Sequence, residues 1–203
     1  MWIILPEAME RRLVESLVRV GNREIGGILM GEDLGGGNFR VKELAIQMRG
    51  GTVAAFVRSL RNVIGPLSRF FRDTRHDYAR FNYLGEWHSH PSFSVRPSAR
   101  DVETMRAIVG DPAVGANFAV LLIVRLSEAQ GLEASLTVFM PDGNYSAETL
   151  DHERNFPGTS EPGDPDMAIR STRCASRPGA PRNTSLDLDQ QGDSWRITEA
   201  GWR

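Results

Sequence analysis

One cysteine, one lysine and four histidines occur among the 203 residues of this chain, and each scarcity excludes something. With Cys174 as the only thiol, neither an intramolecular disulfide framework nor a paired-cysteine zinc clamp can form. A lone thiol also suits a reducing compartment, so the expected location is cytoplasmic. No apolar run approaches the roughly 20 residues needed to cross a bilayer. The opening "MWIILPEAMERRLVES" lacks the basic leader and long apolar stretch of a signal peptide. A net charge of −2 supplies no electrostatic reason to expect nucleic acid or an anionic membrane as a partner.

What is present suffices for one domain of ordinary size. Hydrophobic residues make up 40% of the chain, enough for a real core. Residues 6–21 read as a helix, with Leu13, Val14, Leu17 and Val18 at helical spacing and Gly21-Asn22 closing it. "REIGGILMGED" has the apolar density of a strand, loosened by paired glycines, and "NFRVKELAIQM" alternates, with Phe39, Val41, Leu44 and Ile46 expected on buried faces. "GTVAAFVRS" reads equally as strand or loop. Residues 60–75 look helical, with Pro66 expected in the first turn of the helix proper. "RFNYLGEWHSH" is a strand by its aromatic content, and "PSARDVETMRAIVGDP" a helix beginning near Ser98. "NFAVLLIVRL" is a buried strand, and "GLEASLTVFM" another, followed by the turn signal "PDGN". Helices interleave with strands, so the expected class is mixed α/β or α+β around one central mixed sheet flanked by helices.

Composition changes after about residue 156. "FPGTSEPGDPDMAIRSTRCASRPGAPRNTSLDLDQQGD" is rich in Pro, Gly, Ser, Asp and Arg with little apolar periodicity, and cannot bury enough surface to offset its ordering entropy. The expected division is therefore a folded domain over 1–156 and a disordered tail over 157–203, ending in "SWRITEAGWR" with Trp195 and Trp202.

The chemistry concentrates in "GEWHSHPSFSVRPSARD", residues 85–101, which holds two of the four histidines. On a strand His88 and His90 share a face, about 7 Å apart by strand rise, so both imidazoles can converge on one small ion. Asp101 falls in the first turn of the following helix with Ser98 three residues before it, and both can look back at the strand end. Two imidazoles, one carboxylate and a water make up a four-coordinate catalytic zinc site. Each residue also has a plainer explanation: an incidental pair of histidines, an N-cap serine, and an aspartate favoured by the helix dipole. The coincidence of all four at a strand–helix junction is what speaks for a site.

This stretch resembles the signature of the JAMM metallopeptidases, also called the MPN-plus or JAB domain family: H-[ST]-H-P-x6-S-x2-D with a glutamate upstream. His88, Ser89, His90, Pro91, Ser98 and Asp101 match without a gap, and "EIGGILMG" is similar to the early strand in which the family's catalytic glutamate precedes a glycine pair. The resemblance covers roughly residues 5–150. It implies a single MPN/JAB-type domain with one zinc per chain held by His88, His90 and Asp101. It also implies that Glu24 is the general base that passes a proton to the leaving amine, and that Ser98 donates to the oxyanion. Gly26 and Gly27 would let the strand beside Glu24 pack close to the metal strand. Glu86 is the rival base, since alternation puts it on the histidine face, although from there it would flank the metal. His76 and His152 have no partner pattern.

The resemblance further implies a zinc isopeptidase or peptidase that cuts after the C-terminus of a ubiquitin-like modifier. The compact single domain looks like the prokaryotic branch. There, such proteases accompany ubiquitin-like conjugation machinery with E1- and E2-like proteins, including antiviral defence operons, or process sulfur-carrier proteins. A non-enzymatic MPN scaffold is the alternative class, and the intact set of five residues speaks against it. The single lysine, Lys42, reads either as the base composition of a GC-rich genome or as avoidance of modification beside a lysine-conjugation system.

Overall fold

The computed structural model describes residues 1–47, 60–112, 114–152, 185–191 and 194–200. Seven strands form the main sheet: β1 (Trp2–Leu5), β2 (Gly26–Gly35), β3 (Asn38–Leu44), β4 (Phe81–Ser89), β5 (Ala119–Leu126), β6 (Leu132–Phe139) and β7 (Tyr145–His152). Among the described residues three helices accompany them: α1 (Glu7–Val20), α2 (Leu60–Asp73) and α3 (Ala99–Gly110). The strand order is β1-β3-β2-β4-β5-β6-β7, and the pairing of β7 with β1 closes the sheet on itself. The sheet is mixed: β1 runs parallel to both β3 and β7, β4 runs parallel to β5, and the other neighbours are antiparallel. The expected mixed sheet with flanking helices is thus present, with the closure as an addition.

Strand alternation sorts the core into an inner cluster and two outer ones. Val120, Leu122 and Val124 of β5 join Leu29, Leu84, Trp87 and Phe118 in a cluster that takes in Leu13, Leu17 and Val20 of α1. The intervening residues Ala119, Leu121 and Ile123 pack with Met105 and Val109 of α3. Ile28, Met30 and Tyr83 pack with Leu67, Phe70 and Phe71 of α2. β4 and β5 are therefore covered on both faces, which is why "NFAVLLIVRL" is almost uniformly apolar.

Several boundaries differ from the sequence reading. Val18 of α1 is exposed, and Val20 takes the buried position one turn after Leu17. α1 ends at Gly21, whose φ of +61° suits a residue without a side chain and whose N–H donates to the Leu17 carbonyl at 3.0 Å. Pro66 stands inside α2 and not in its first turn. The helix tolerates the missing donor because Leu67, Phe70 and Phe71 anchor its apolar face. β1 and β7 are strands that the sequence reading left unassigned. "GTVAAFVRS" lies outside the described residues. Beyond residue 156, β8 (Ser185–Gln191) and β9 (Ser194–Ala200) form a separate two-stranded antiparallel sheet. "SLDLDQQ" and "SWRITEA" alternate apolar with polar residues, the period of a strand. The other residues of that segment are outside the described ones.

The approach of β2 to its neighbours depends on glycine. A Cβ at Gly27 would lie 1.7 Å from the Ala45 carbonyl oxygen and 2.8 Å from Trp87 Nε1, and one at Gly26 would lie 2.7 Å from the Trp87 carbonyl oxygen. Trp87 Nε1 in turn donates to the Ala45 carbonyl at 3.0 Å, so the indole fastens β4 to the chain leaving β3. Gly27→Ala should therefore lower unfolding free energy by about 1–3 kcal/mol, the scale of overpacking with backbone displacement. Urea denaturation would measure it, and a change of under about 0.5 kcal/mol, typical of an uncrowded surface position, would refute the close-packing account.

Candidate metal centre

The C-terminal end of β4 carries His88, Ser89 and His90 in alternation. His88 pairs in register with Gly26 of β2 and Ile123 of β5, so it sits between two strands and is buried. His90 follows the strand end, its N–H donating to the Val124 carbonyl at 2.9 Å. The two rings lean together, with centroids 4.8 Å apart and Nε2 atoms 2.9 Å apart. This is closer than strand rise alone implies.

Asp101 arrives from the start of α3. Ser98 is the N-cap in extended conformation, and the two residues form a reciprocal capping box. The Asp101 N–H donates to Ser98 Oγ at 3.2 Å, and the Ser98 N–H donates to Asp101 Oδ2 at 2.7 Å. Such a cap contributes about 1 kcal/mol. It also orients the carboxylate, placing Oδ1 3.6 Å from His88 Nε2 and Oδ2 3.9 Å from His90 Nε2. Capping the helix and facing the imidazoles are therefore compatible in one residue. Because Ser98 Oγ accepts through a lone pair, its hydroxyl hydrogen stays available to donate elsewhere.

Donor atoms of His88, His90 and Asp101 lie within 4.8 Å of one another. Three ligands about 2.0–2.1 Å from a common tetrahedral centre stand a little over 3 Å apart, so the cluster has the right scale for an ion. Its donor chemistry fits too. His90 Nδ1 donates to the Ser94 carbonyl at 2.8 Å, which leaves Nε2 as the lone pair facing the cluster, the usual way a ligand imidazole is oriented. Burial pushes His88 down to about 4, with His90 adding to the shift and Asp101 opposing it. The ring is therefore neutral, as a ligand must be. His88 Nδ1 is buried without a hydrogen-bond partner among the described residues.

The loop between β4 and α3 is held firmly over the cluster. Three successive carbonyls accept from side chains: Phe93 from Arg125 Nη1 at 3.2 Å, Ser94 from His90, and Val95 from Ser135 Oγ. Arg125 is itself paired bidentately with Glu133, at 2.8 and 3.0 Å. Sequence reasoning did not single out Arg125, Ser135 or Ser94. The first two lie on distant strands and act on backbone carbonyls, which any residue type presents.

A cleft of about 440 Å³ opens above the cluster, lined by Glu24, His88, His90, Ser98 and Asp101 with loop residues including Phe93 and Arg96. All five residues singled out by sequence thus meet in one place. Glu24 is half-buried and precedes the first residue of β2, so it lies on the chain entering that strand. Glu86 is not among the residues lining the cleft. It is buried on β4 in register with Ile28 and Leu121, and burial pushes its carboxyl up to about 8. A carboxyl neutral at pH 7 cannot accept a proton there, and both facts favour Glu24 over its rival as base. His76 is exposed, hydrogen-bonds Tyr78 and does not line the cleft, while His152 ends β7.

The family described as prokaryotic homologs of the JAB domain matches residues 6–137. Among solved structures, a protein from Desulfitobacterium hafniense determined in solution aligns over 74% of this chain and 92% of its own, at 18% identity and a TM-score of 0.53. That likeness concerns the fold alone. A JAB1/MPN domain protein from Archaeoglobus fulgidus also aligns, at 15% identity over 74% of this chain and 96% of that one, with a TM-score of 0.42. A protein from Salinibacter ruber aligns at 17% identity over 82% and 95%, with a TM-score of 0.45. No curated protein matches the chain.

Glu86 gives the site a test in pH. Its folded-state value of about 8 lies above the ordinary 4.5, so the fold favours the protonated form. Below pH 4.5 folded and unfolded chains both hold the proton. As pH rises from there toward 8 the unfolded chain releases it first, and stability falls until the folded carboxyl also ionises. Glu86→Gln removes this loss. Relative to the variant, wild type should lose a few kcal/mol between pH 5 and pH 8, at about 1.4 kcal/mol per pKa unit. Parallel urea titrations would show it, and identical pH profiles would mean that Glu86 ionises normally.

Proposed function

The chain belongs to the family of prokaryotic homologs of the JAB domain, and from that premise we propose that it is a zinc-dependent peptidase. Its substrate in this proposal is the amide bond after the C-terminus of a ubiquitin-like modifier, cut during deconjugation or precursor processing. The observation that carries the proposal is the convergence of His88, His90 and Asp101 in one cleft with Glu24 and Ser98. Two imidazoles and a carboxylate with a remaining open position are the donor set of a catalytic zinc. A non-enzymatic scaffold would have no need of Glu24 beside the donors.

His88, His90 and Asp101 hold the ion in this reading. When bound, zinc polarises the scissile carbonyl and lowers the pKa of water to about 7. Glu24 takes the proton of the attacking water as its oxygen bonds to the carbonyl carbon. The Ser98 hydroxyl donates to the oxygen on which negative charge develops, a contribution of about 10²–10³-fold for one such donor. The C–N bond then breaks, and Glu24 returns its proton to the departing amine. The modifier is left with a carboxylate terminus. The setting that suits this activity is a cytoplasm with E1- and E2-like enzymes supplying the conjugate; no described helix is long and apolar enough to cross a membrane.

Glu24→Ala should retain zinc and fold but lose about 10²–10⁴-fold in kcat, the scale of a general base. Asp101→Ala should lose both metal and activity, and about 1 kcal/mol of stability with its half of the capping box. Metal analysis and cleavage of ubiquitin bearing a C-terminal fluorogenic amide, or of a modifier fusion, would measure both. A wild type that takes up no zinc when supplied with it would refute the proposal, as would full activity in Glu24→Ala.

A further inference from the structure

Ser89 stands between the two histidine ligands, and strand alternation turns its side chain away from theirs. It is fully buried. Its hydroxyl oxygen accepts from the Ile25 N–H at 3.0 Å, while its own N–H donates to the Ile25 carbonyl at 2.8 Å. Both backbone groups of Ile25 therefore end on the one residue that separates the two imidazoles. The next residue is fixed as well: the Gln47 N–H donates to the Gly26 carbonyl at 2.8 Å, and the Ile25 side chain is buried in the inner core.

Glu24 is the residue immediately before this clamp and belongs to no strand. Its backbone position is thus inherited from Ile25. From this geometry we infer that Ser89 is a positioning residue: acting through Ile25, it sets where the Glu24 carboxylate stands relative to the donors of His88, His90 and Asp101. The inference rests on the proposed role of Glu24 as base. The signature makes position 89 look like a spacer that happens to be small and hydroxylated. The structure supplies a reason for the oxygen, since without it a buried N–H beside the base loses its acceptor and the segment must shift to find another. A displacement of about 1 Å at a catalytic group can cost about 10²-fold.

The test uses Ser89→Ala and Ser89→Thr, each in wild-type and Glu24→Ala backgrounds, with the fluorogenic ubiquitin amide as substrate. Ser89→Ala should lower kcat by about 10–100-fold, the range for residues that orient an active group, with KM and zinc content near wild type. Ser89→Thr, which keeps the oxygen, should restore most of the rate. In the Glu24→Ala background, Ser89→Ala should cost nothing further, because the group it positions is already gone. Equal losses in both backgrounds, or loss of zinc in Ser89→Ala, would overturn the inference. A readout that needs no turnover is amide hydrogen exchange at Ile25 by NMR, which should be protected in wild type and Ser89→Thr and fast in Ser89→Ala. Unchanged protection would also overturn it. A zinc-loaded wild type that cleaves nothing would instead sink the proposed function and with it the role of Glu24, while Ile25 exchange would still report whether the clamp exists.

Discussion

Antiparallel pairing of β2 with β4 is the constraint from which the site follows. Gly26 opposes His88 and Gly27 opposes Trp87, and neither glycine position has room for a Cβ. That closeness brings the chain entering β2 to the end of β4, so a glutamate and two histidines more than sixty residues apart share one cleft. Parallel pairing on the other side, His88 with Ile123, completes the burial that keeps the imidazole neutral. The strand order and the hydrophobic clusters of α1, α2 and α3 keep these two pairings from shifting register.

The same residues serve stability and site together. Ser98 and Asp101 begin α3 by satisfying each other's backbone donors, and in doing so they fix the carboxylate beside the imidazoles. His90 orients its own ring by donating to a carbonyl of the loop that covers it. Arg125 and Ser135 hold the neighbouring carbonyls from β5 and β6. A loop fastened at three consecutive carbonyls lies closer to a preformed wall than to a mobile lid.

Much of this was legible in the chain, for reasons that can be named. Alternation placed both histidines on one face, and the three-residue step from Ser98 to Asp101 placed both at a helix start. These are local regularities of backbone geometry, readable wherever period and cap chemistry are strong. The closing strands were not legible. β1 is a four-residue piece before a proline, and "YSAETLDH" of β7 is polar enough to pass for loop; each is a strand because a partner was already there. Pro66 misled because its preference for the first turn is intrinsic, whereas α2 is held by the tertiary packing of Leu67, Phe70 and Phe71. Arg125 and Ser135 left no trace in sequence, since what they bind is main chain.

Glu24 and Glu86 illustrate how environment separates two carboxyls that sequence alone ranks as rivals. Both lie within two residues of a position paired across β2 and β4, so proximity in the sheet cannot distinguish them. Glu86 is in register with Ile28 and Leu121, which belong to the two outer apolar clusters. There burial favours the proton, and the carboxyl is held neutral where a base must be charged. Glu24 is half-buried at the cleft wall. A general base needs both an ionised form at working pH and hydrogen-bond reach of the proton it takes. Depth in the sheet denies Glu86 the first, and its position outside the cleft denies it the second. Glu24 lies outside the strand because the chain has not yet entered β2, and the residue that follows it, Ile25, is held by both its backbone groups to Ser89.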